Sequence, residues 1–341
     1  MSTINYRTLG RHGLKVSPLT LGTMMFGGQT PDDVAARITA KAFEQGINFI
    51  DTANGYNAGR SEVVVGRLIA ERRAQWVLAT KFVNPDPDGH GPNNQGASRN
   101  NVIQSVEASL RRLNTDYIDL FYLHREDAST PVEETLRALS DLLRAGKIRS
   151  YGLSNHRAWK LAEFSRTADL LGIERPTASQ PLYNLANRQI EVEHLPAADY
   201  YGIGVVSYSP LARGVLTGKY DPQQAPAADT RAGRQDKRLQ QTEWRPESLD
   251  LAQRIKAHAE TRGISPGQFA LAWVLNNRLI TSAIAGPRTE AQWDDYLPAL
   301  NYAFTGEDEA LVNDLVVTGH ASTAGYNDPS HPFFGRQPFT A

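Results

Sequence analysis

The chain has no cysteine among its 341 residues. That excludes a disulfide framework, a thiolate nucleophile and any zinc or iron–sulfur centre built on sulfur ligands. An excess of either charge is also missing: 36 Lys and Arg stand against 37 Asp and Glu, a formal net charge of −1. No overall field therefore draws the molecule to nucleic acid or to an anionic membrane. No uninterrupted apolar stretch approaches the roughly 18 to 20 residues that span a bilayer. The opening "MSTINYRTLGRHGLKV" lacks the apolar region of a secretory signal. The expectation is a cytoplasmic protein whose partner is a small molecule, with no nucleic-acid or membrane partner.

What is present is a repeat of short apolar runs and longer helix-period segments. Hydrophobic residues make up 40% of the chain, enough for a sizeable core. "YRTLGRHGLKVS" reads as a hairpin that plugs one end of a larger fold, with Gly10 and Gly13 bracketing its turn. Eight strand candidates follow: "LTLG" (19–22), "INFID" (47–51), "WVLATK" (76–81), "YIDLFYLH" (117–124), "IRSYGLS" (148–154), "TASQ" (177–180), "GVVSYS" (204–209) and "ITSAIAG" (280–286). Between them lie helix signals: Ser98 before "RNNVIQSVEASLRRLN", Pro131 before "VEETLRALSDLLRAG", and Gly146 and Gly172 as stops. Eight βα repeats predict an α/β fold of the (β/α)₈ TIM barrel type, a single domain over 1–341 with the barrel at about 17–317 and a tail at 318–341. An open doubly wound sheet is disfavoured, because "GTMMFGG" after the first strand is not G-x-G-x-x-G. Long segments after strand three (83–97) and strand seven (212–246) fall on the face where barrels keep their sites, as lids or binding loops. The tail is either a further lid or a free end.

In such a barrel the last residues of the strands converge on one mouth. Here they are polar: Asp51, Lys81, His124, Ser154 and Asn155, Gln180, Tyr208 and Ser209, then Gly286, with Tyr56 just beyond strand two. Singly, Asp51 could cap a turn, His124 could be a core imidazole and Lys81 could snorkel to the rim. Together they read differently. A lysine ending a buried strand needs an anion nearby, and Asp51 on the neighbouring strand is available. A tyrosine, with its ordinary pKa near 10, donates a proton to a growing alkoxide only with help from a neighbouring cation, which Lys81 supplies. His124 would hydrogen-bond a substrate carbonyl or pass a proton to Tyr56. The four form an acid–base unit around a carbonyl. Two rivals fit less well. A metal-dependent barrel hydrolase on His124, Glu126 and Asp127 lacks a His-x-His on strand one, and a glycosidase lacks opposed carboxylates, since strand seven ends in "SYSP".

The ordered segments "DTANGY", "ATK", "FYLHRED", "GLSN", "SQPLYN", "SYSPLARGVLTGKY" and "GPRTEAQW" resemble the aldo-keto reductase superfamily, barrel enzymes that use NADPH to reduce aldehydes and ketones. The likeness runs from about Tyr6 to Val317. It implies a catalytic set of Asp51, Tyr56, Lys81 and His124, NADPH in preference to NADH, and no metal. The implied cofactor-binding residues are Gly22, Thr23 and Asp51; Ser154, Asn155 and Gln180 on the carboxamide; Tyr208 stacked on the nicotinamide; Ser209, Pro210, Leu211, Gly214 and Lys219 along the pyrophosphate; and Gly286, Arg288 and Gln292. Arg288, at the start of a helix, offers the fork suited to a 2′-phosphate. The sequence departs from the family at Tyr296, where relatives carry an Asn or carboxylate on the adenine. Met25, Phe26, Tyr56, Phe82 and His124 are the expected substrate pocket, suited to an apolar or aromatic carbonyl compound. The alternative is a regulatory or sensor subunit that keeps the barrel and the nucleotide but turns over little.

Overall fold

The computed structural model describes residues 4–332. Eight parallel strands close into a barrel: Leu19–Gly22, Phe49–Asp51, Val77–Phe82, Leu120–Leu123, Tyr151–Ser154, Ala178–Gln180, Gly204–Ser207 and Ile280–Ala285. Closure occurs where the eighth strand pairs with both the seventh and the first, with Ile284 opposite Thr20. The helical segments begin and end where local chemistry dictates. Ser98 Oγ accepts from the Asn101 amide to open Arg99–Leu113, and Gly172, at φ +65°, closes Ala158–Leu171. The hairpin strands Arg7–Thr8 and Lys15–Val16 place Leu9 and Val16 in the apolar interior of the barrel, plugging its N-terminal end.

The apolar residues divide by strand alternation. Phe49, Val77, Ala79, Leu120, Tyr122, Ala178 and Val206 fill the interior, and their neighbours along each strand join the shell beneath the helices. The segment after the seventh strand is not a bare loop. It contains a tight turn at Ala212–Thr217 and a helix at Lys237–Thr242, opened by Asp236 accepting from the Leu239 amide. The tail folds back over the C-terminal mouth as far as it is described. The His320 carbonyl accepts from Arg188 N–H at 2.8 Å, the His331 carbonyl from Arg157 Nη2 at 2.8 Å, and Asp328 pairs with Arg238 at 2.7 Å. Residues 333–341 lie outside the described part of the chain. Among the described residues, no helix is long and apolar enough to cross a membrane.

Candidate active site

The inward columns of the barrel decide which polar groups meet. Two residues beyond Phe49, Ala79, Tyr122, Ala178 and Val206 stand Asp51, Lys81, His124, Gln180 and Tyr208. Period-two alternation therefore lifts five polar side chains onto the top of an apolar plug. Gly152 makes room beneath them, because a Cβ there would come within 2.5 Å of the Tyr122 ring.

Lys81 is fully buried and Asp51 nearly so. The Lys81 ammonium donates to Asp51 Oδ1 at 2.5 Å, to the Thr52 carbonyl at 2.7 Å and to the Tyr56 hydroxyl at 3.3 Å, so its three protons are all engaged. Gln180 Nε2 donates to the other carboxylate oxygen of Asp51 at 2.9 Å. Burial pushes the Asp51 carboxyl up, and Lys81 and Gln180 offset only part of that. For Lys81 the balance falls the other way: burial would lower it, but the Asp51 carboxylate and Tyr56 hold it above its usual value, so the cation persists. Burial also raises the Tyr56 phenol, and Lys81 pulls it part of the way back. The expected acidification by Lys81 is thus a partial offset to burial, and the phenol remains a loaded proton donor at neutral pH.

Tyr56 is presented by a turn of unusual backbone. Asn57, Ala58 and Gly59 all have positive φ, at 49°, 54° and 81°. A Cβ on Gly59 would press on Arg112 and Pro87. Asn57 secures the turn by donating from Nδ2 to the Met24 and Phe26 carbonyls at 2.8 Å each. This explains a glycine and an asparagine beside the tyrosine: the chain must turn sharply at the strand end and lean on the neighbouring loop.

His124 meets Tyr56 edge to face, ring centroids 5.9 Å apart. Burial, then the nearby Lys81 charge, holds its imidazole well below the usual pKa, so it is neutral. Its Nδ1 lies 3.1 Å from Asn84 Nδ2, a partner that the sequence reading missed. Asn155 donates to the His124 carbonyl at 2.9 Å and accepts from the Tyr208 hydroxyl at 2.8 Å, and Ser154 Oγ donates to the Gln180 carbonyl at 2.9 Å. These polar groups form one continuous floor.

Above it opens a cavity of about 410 Å³ at the C-terminal ends of the strands, within the usual range for small-molecule sites. Its wall carries Gly22, Thr23 and Met25 after the first strand, Asp51, Tyr56 and His124, then Ser154, Asn155, Gln180 and Tyr208. It continues through Ser209, Pro210, Leu211, Gly214 and Lys219 to Gly286, Arg288 and Gln292. Lys81 lies beneath, reaching the cavity through Tyr56. Two expected pocket residues are elsewhere. Phe82 follows the inward Lys81, so alternation turns it outward to stack on Phe121 with ring centroids 4.6 Å apart. Phe26 is fully buried in the shell, its amide closing a tight turn onto the Thr23 carbonyl. Met24, not singled out from sequence, lines the cavity beside Met25.

The far end of the cavity is cationic. Arg231 and Arg234 join Lys219 and Arg288 there with Asp229 and Asp295, while Arg213 and Arg238 line the cavity nearer Tyr208, Arg238 paired with Asp328. Partial desolvation, together with Arg231 and Arg288, lowers the Lys219 ammonium. The sequence showed these arginines only as a polar loop. Gln292 Oε1 accepts from the Arg288 amide at 2.7 Å, and Tyr296 and Asp295 both line this end. A carboxylate therefore stands one position before the expected one. Among the described residues, no cluster of three or more His, Asp or Glu is placed to hold a metal.

Residues 18–316 match the model of the Aldo/keto reductase family. The chain belongs to this family. Its relatives include a "Probable voltage-gated potassium channel subunit beta" of Arabidopsis thaliana, 37% identical over 303 residues, which cover 87% of this chain and 92% of that protein. They also include an "Uncharacterized oxidoreductase YrpG" of Bacillus subtilis, 37% identical over 322 residues, covering 92% and 96%. A "Putative voltage-gated potassium channel subunit beta" of Schizosaccharomyces pombe is 35% identical over 311 residues, covering 88% and 89%.

Proposed function

We propose that this aldo/keto reductase is an NADPH-dependent carbonyl reductase in which Tyr56 is the general acid, assisted by Lys81, Asp51 and His124. The carrying observation is the hydrogen-bonded chain from Asp51 through Lys81 to the Tyr56 hydroxyl, at the floor of a cavity whose other end is cationic. That donor set fits a dinucleotide: Tyr208 would offer an aromatic face, the groups from Ser209 to Lys219 would hold a pyrophosphate, and Arg231 and Arg234 with Arg288 would suit a 2′-phosphate. When bound, NADPH supplies a hydride to the carbonyl carbon. As negative charge grows on the carbonyl oxygen, Tyr56 transfers its phenolic proton to it, and Lys81 stabilises the phenolate left behind. Asp51 keeps Lys81 charged and in place. His124, neutral, hydrogen-bonds the same oxygen. Met24 and Met25 give the substrate an adaptable apolar wall, in keeping with an apolar or aromatic aldehyde or ketone.

The test follows the loss of NADPH absorbance on mixing with aliphatic, aromatic and sugar-derived carbonyls, and the reverse reaction with alcohols and NADP⁺. Turnover of at least one class above the cofactor-only rate is expected; none with any class refutes the enzyme reading. The potassium-channel β-subunit names of the relatives favour a second reading, a nucleotide-binding regulatory subunit. Tight NADPH binding without turnover would select it.

A further inference from the structure

The third barrel strand does not simply fray into its loop. At Val83 the backbone takes φ +88°, a region that a β-branched residue occupies only when its surroundings compel it. The surroundings do so here. The Val83 side chain is buried in the shell core, and its carbonyl accepts from the Gly96 amide at 2.8 Å. The turn sends the next residue, Asn84, back toward the site. The Asn84 carbonyl accepts from the buried Asn54 Nδ2 at 3.3 Å, and its side chain reaches His124 Nδ1 at 3.1 Å.

The loop beyond is clamped as well. Arg112 pairs with Asp86 at 2.9 Å and with Asp88 at 2.7 Å, and is itself seated on the buried Glu62 at 2.7 Å. Strain, burial and an ion-pair network thus converge on the placement of one amide. Asn84 does not line the cavity, so its side chain meets the site through His124.

We propose that Asn84 is a positioning residue that sets the tautomer of His124: its Nδ2–H donates to Nδ1, leaving the single imidazole proton on Nε2. A neutral imidazole has one donor and one acceptor nitrogen, and the partner of one dictates the role of the other. With the proton on Nε2, His124 presents a hydrogen-bond donor to a carbonyl oxygen. With the proton on Nδ1, it presents a lone pair that repels the same oxygen as charge develops. The strained turn at Val83 is the device that keeps the amide from drifting off.

The kinetic part of this inference rests on the carbonyl-reductase reading; the tautomer part does not. The test is nitrogen-15 NMR of the imidazoles in the full chain without ligand, with His124 assigned by its loss in His124→Gln. The wild type is expected to carry its proton on Nε2. Asn84→Asp, which can only accept, is expected to move it to Nδ1, and Asn84→Ala to give a mixture. In Asn84→Asp, kcat is expected to fall about 10- to 100-fold, the range typical of lost orienting partners, while NADPH affinity by fluorescence titration stays within about twofold. Asn84→Ser, which retains a donor, is expected to recover part of kcat. A wild-type proton on Nδ1, or a tautomer unmoved in Asn84→Asp, overturns the proposal. If the tautomer moves while kcat stays unchanged, the positioning role falls. A wild type that reduces no carbonyl defeats the function reading instead, and the spectrum still decides the tautomer.

Discussion

Replacing Lys81 by methionine removes a buried cation without opening a large cavity, which makes it the sharpest probe of the site. At the observed Nζ to Oδ1 separation of 2.5 Å, and an effective dielectric constant of about 20, the pair is worth roughly 7 kcal/mol of Coulomb energy. Desolvation of both ions offsets most of that, so the intact pair adds little net stability. The single variant leaves Asp51 buried with only Gln180 as a side-chain donor, and the expected loss is about 3 to 5 kcal/mol at neutral pH. A Lys81→Met, Asp51→Asn double variant has no orphaned charge and should recover roughly 2 kcal/mol or more of that loss. Acidification should narrow the deficit of the single variant, because a carboxyl already pushed up by burial takes a proton. Urea unfolding followed by tryptophan fluorescence measures all three proteins, with m-values compared so that the unfolding reaction is the same. Both variants should lose carbonyl turnover. If the single and double variants are equally stable, or the single loses less than about 1 kcal/mol, the two groups do not form the isolated buried pair on which the mechanism depends.

Tyr56→Phe should leave NADPH affinity nearly intact and lower kcat by about three orders of magnitude or more, since it removes only the transferred proton; stopped-flow and steady-state rates check this. Arg288→Ala should weaken NADPH about tenfold or more and NADH little, because its fork suits a 2′-phosphate; equal losses by titration would remove that role. Stability should fall in mild acid. His156 and His194, held at about 4 by burial, bond the Ser154 carbonyl and the Ser179 hydroxyl at 2.8 Å each. Their folded-state values lie below the ordinary 6.5, so the unfolded chain takes protons first. Their contribution is present above pH 6.5 and lost as pH falls towards 4, by roughly 3 kcal/mol for each. Urea midpoints against pH, compared with a His156→Gln, His194→Gln variant, measure it; an identical slope in both proteins would contradict the burial argument.

Much of the site could be read because a strand's period of two links sequence position to direction. Once "WVLATK" and "YIDLFYLH" are strands of one barrel, Lys81 and His124 must share its mouth. The same rule, applied one residue further, sends Phe82 outward, and assigning it to the pocket overlooked that alternation. Phe26 carried no such signal, because it follows the strand in an irregular turn. The helix at Lys237–Thr242 and the arginines on and before it were hidden for a related reason: a polar segment without periodicity gives no register, so its side chains have no direction until the loop is folded.

Order and alternation along the chain determined the eight-stranded barrel, its hairpin plug and the meeting of Asp51, Lys81 and His124, because each follows from local periodicity and the closure of a parallel sheet; Tyr56 was legible only as a residue just beyond the strand that ends in Asp51, and its turn brings it to them. Only tertiary structure decided that burial outweighs Lys81 at the Tyr56 phenol, that Asn84 faces His124, and that the tail lies across the mouth. Those outcomes depend on desolvation and on contacts between segments 40 to 174 residues apart in sequence, distances over which a linear pattern carries no geometric information.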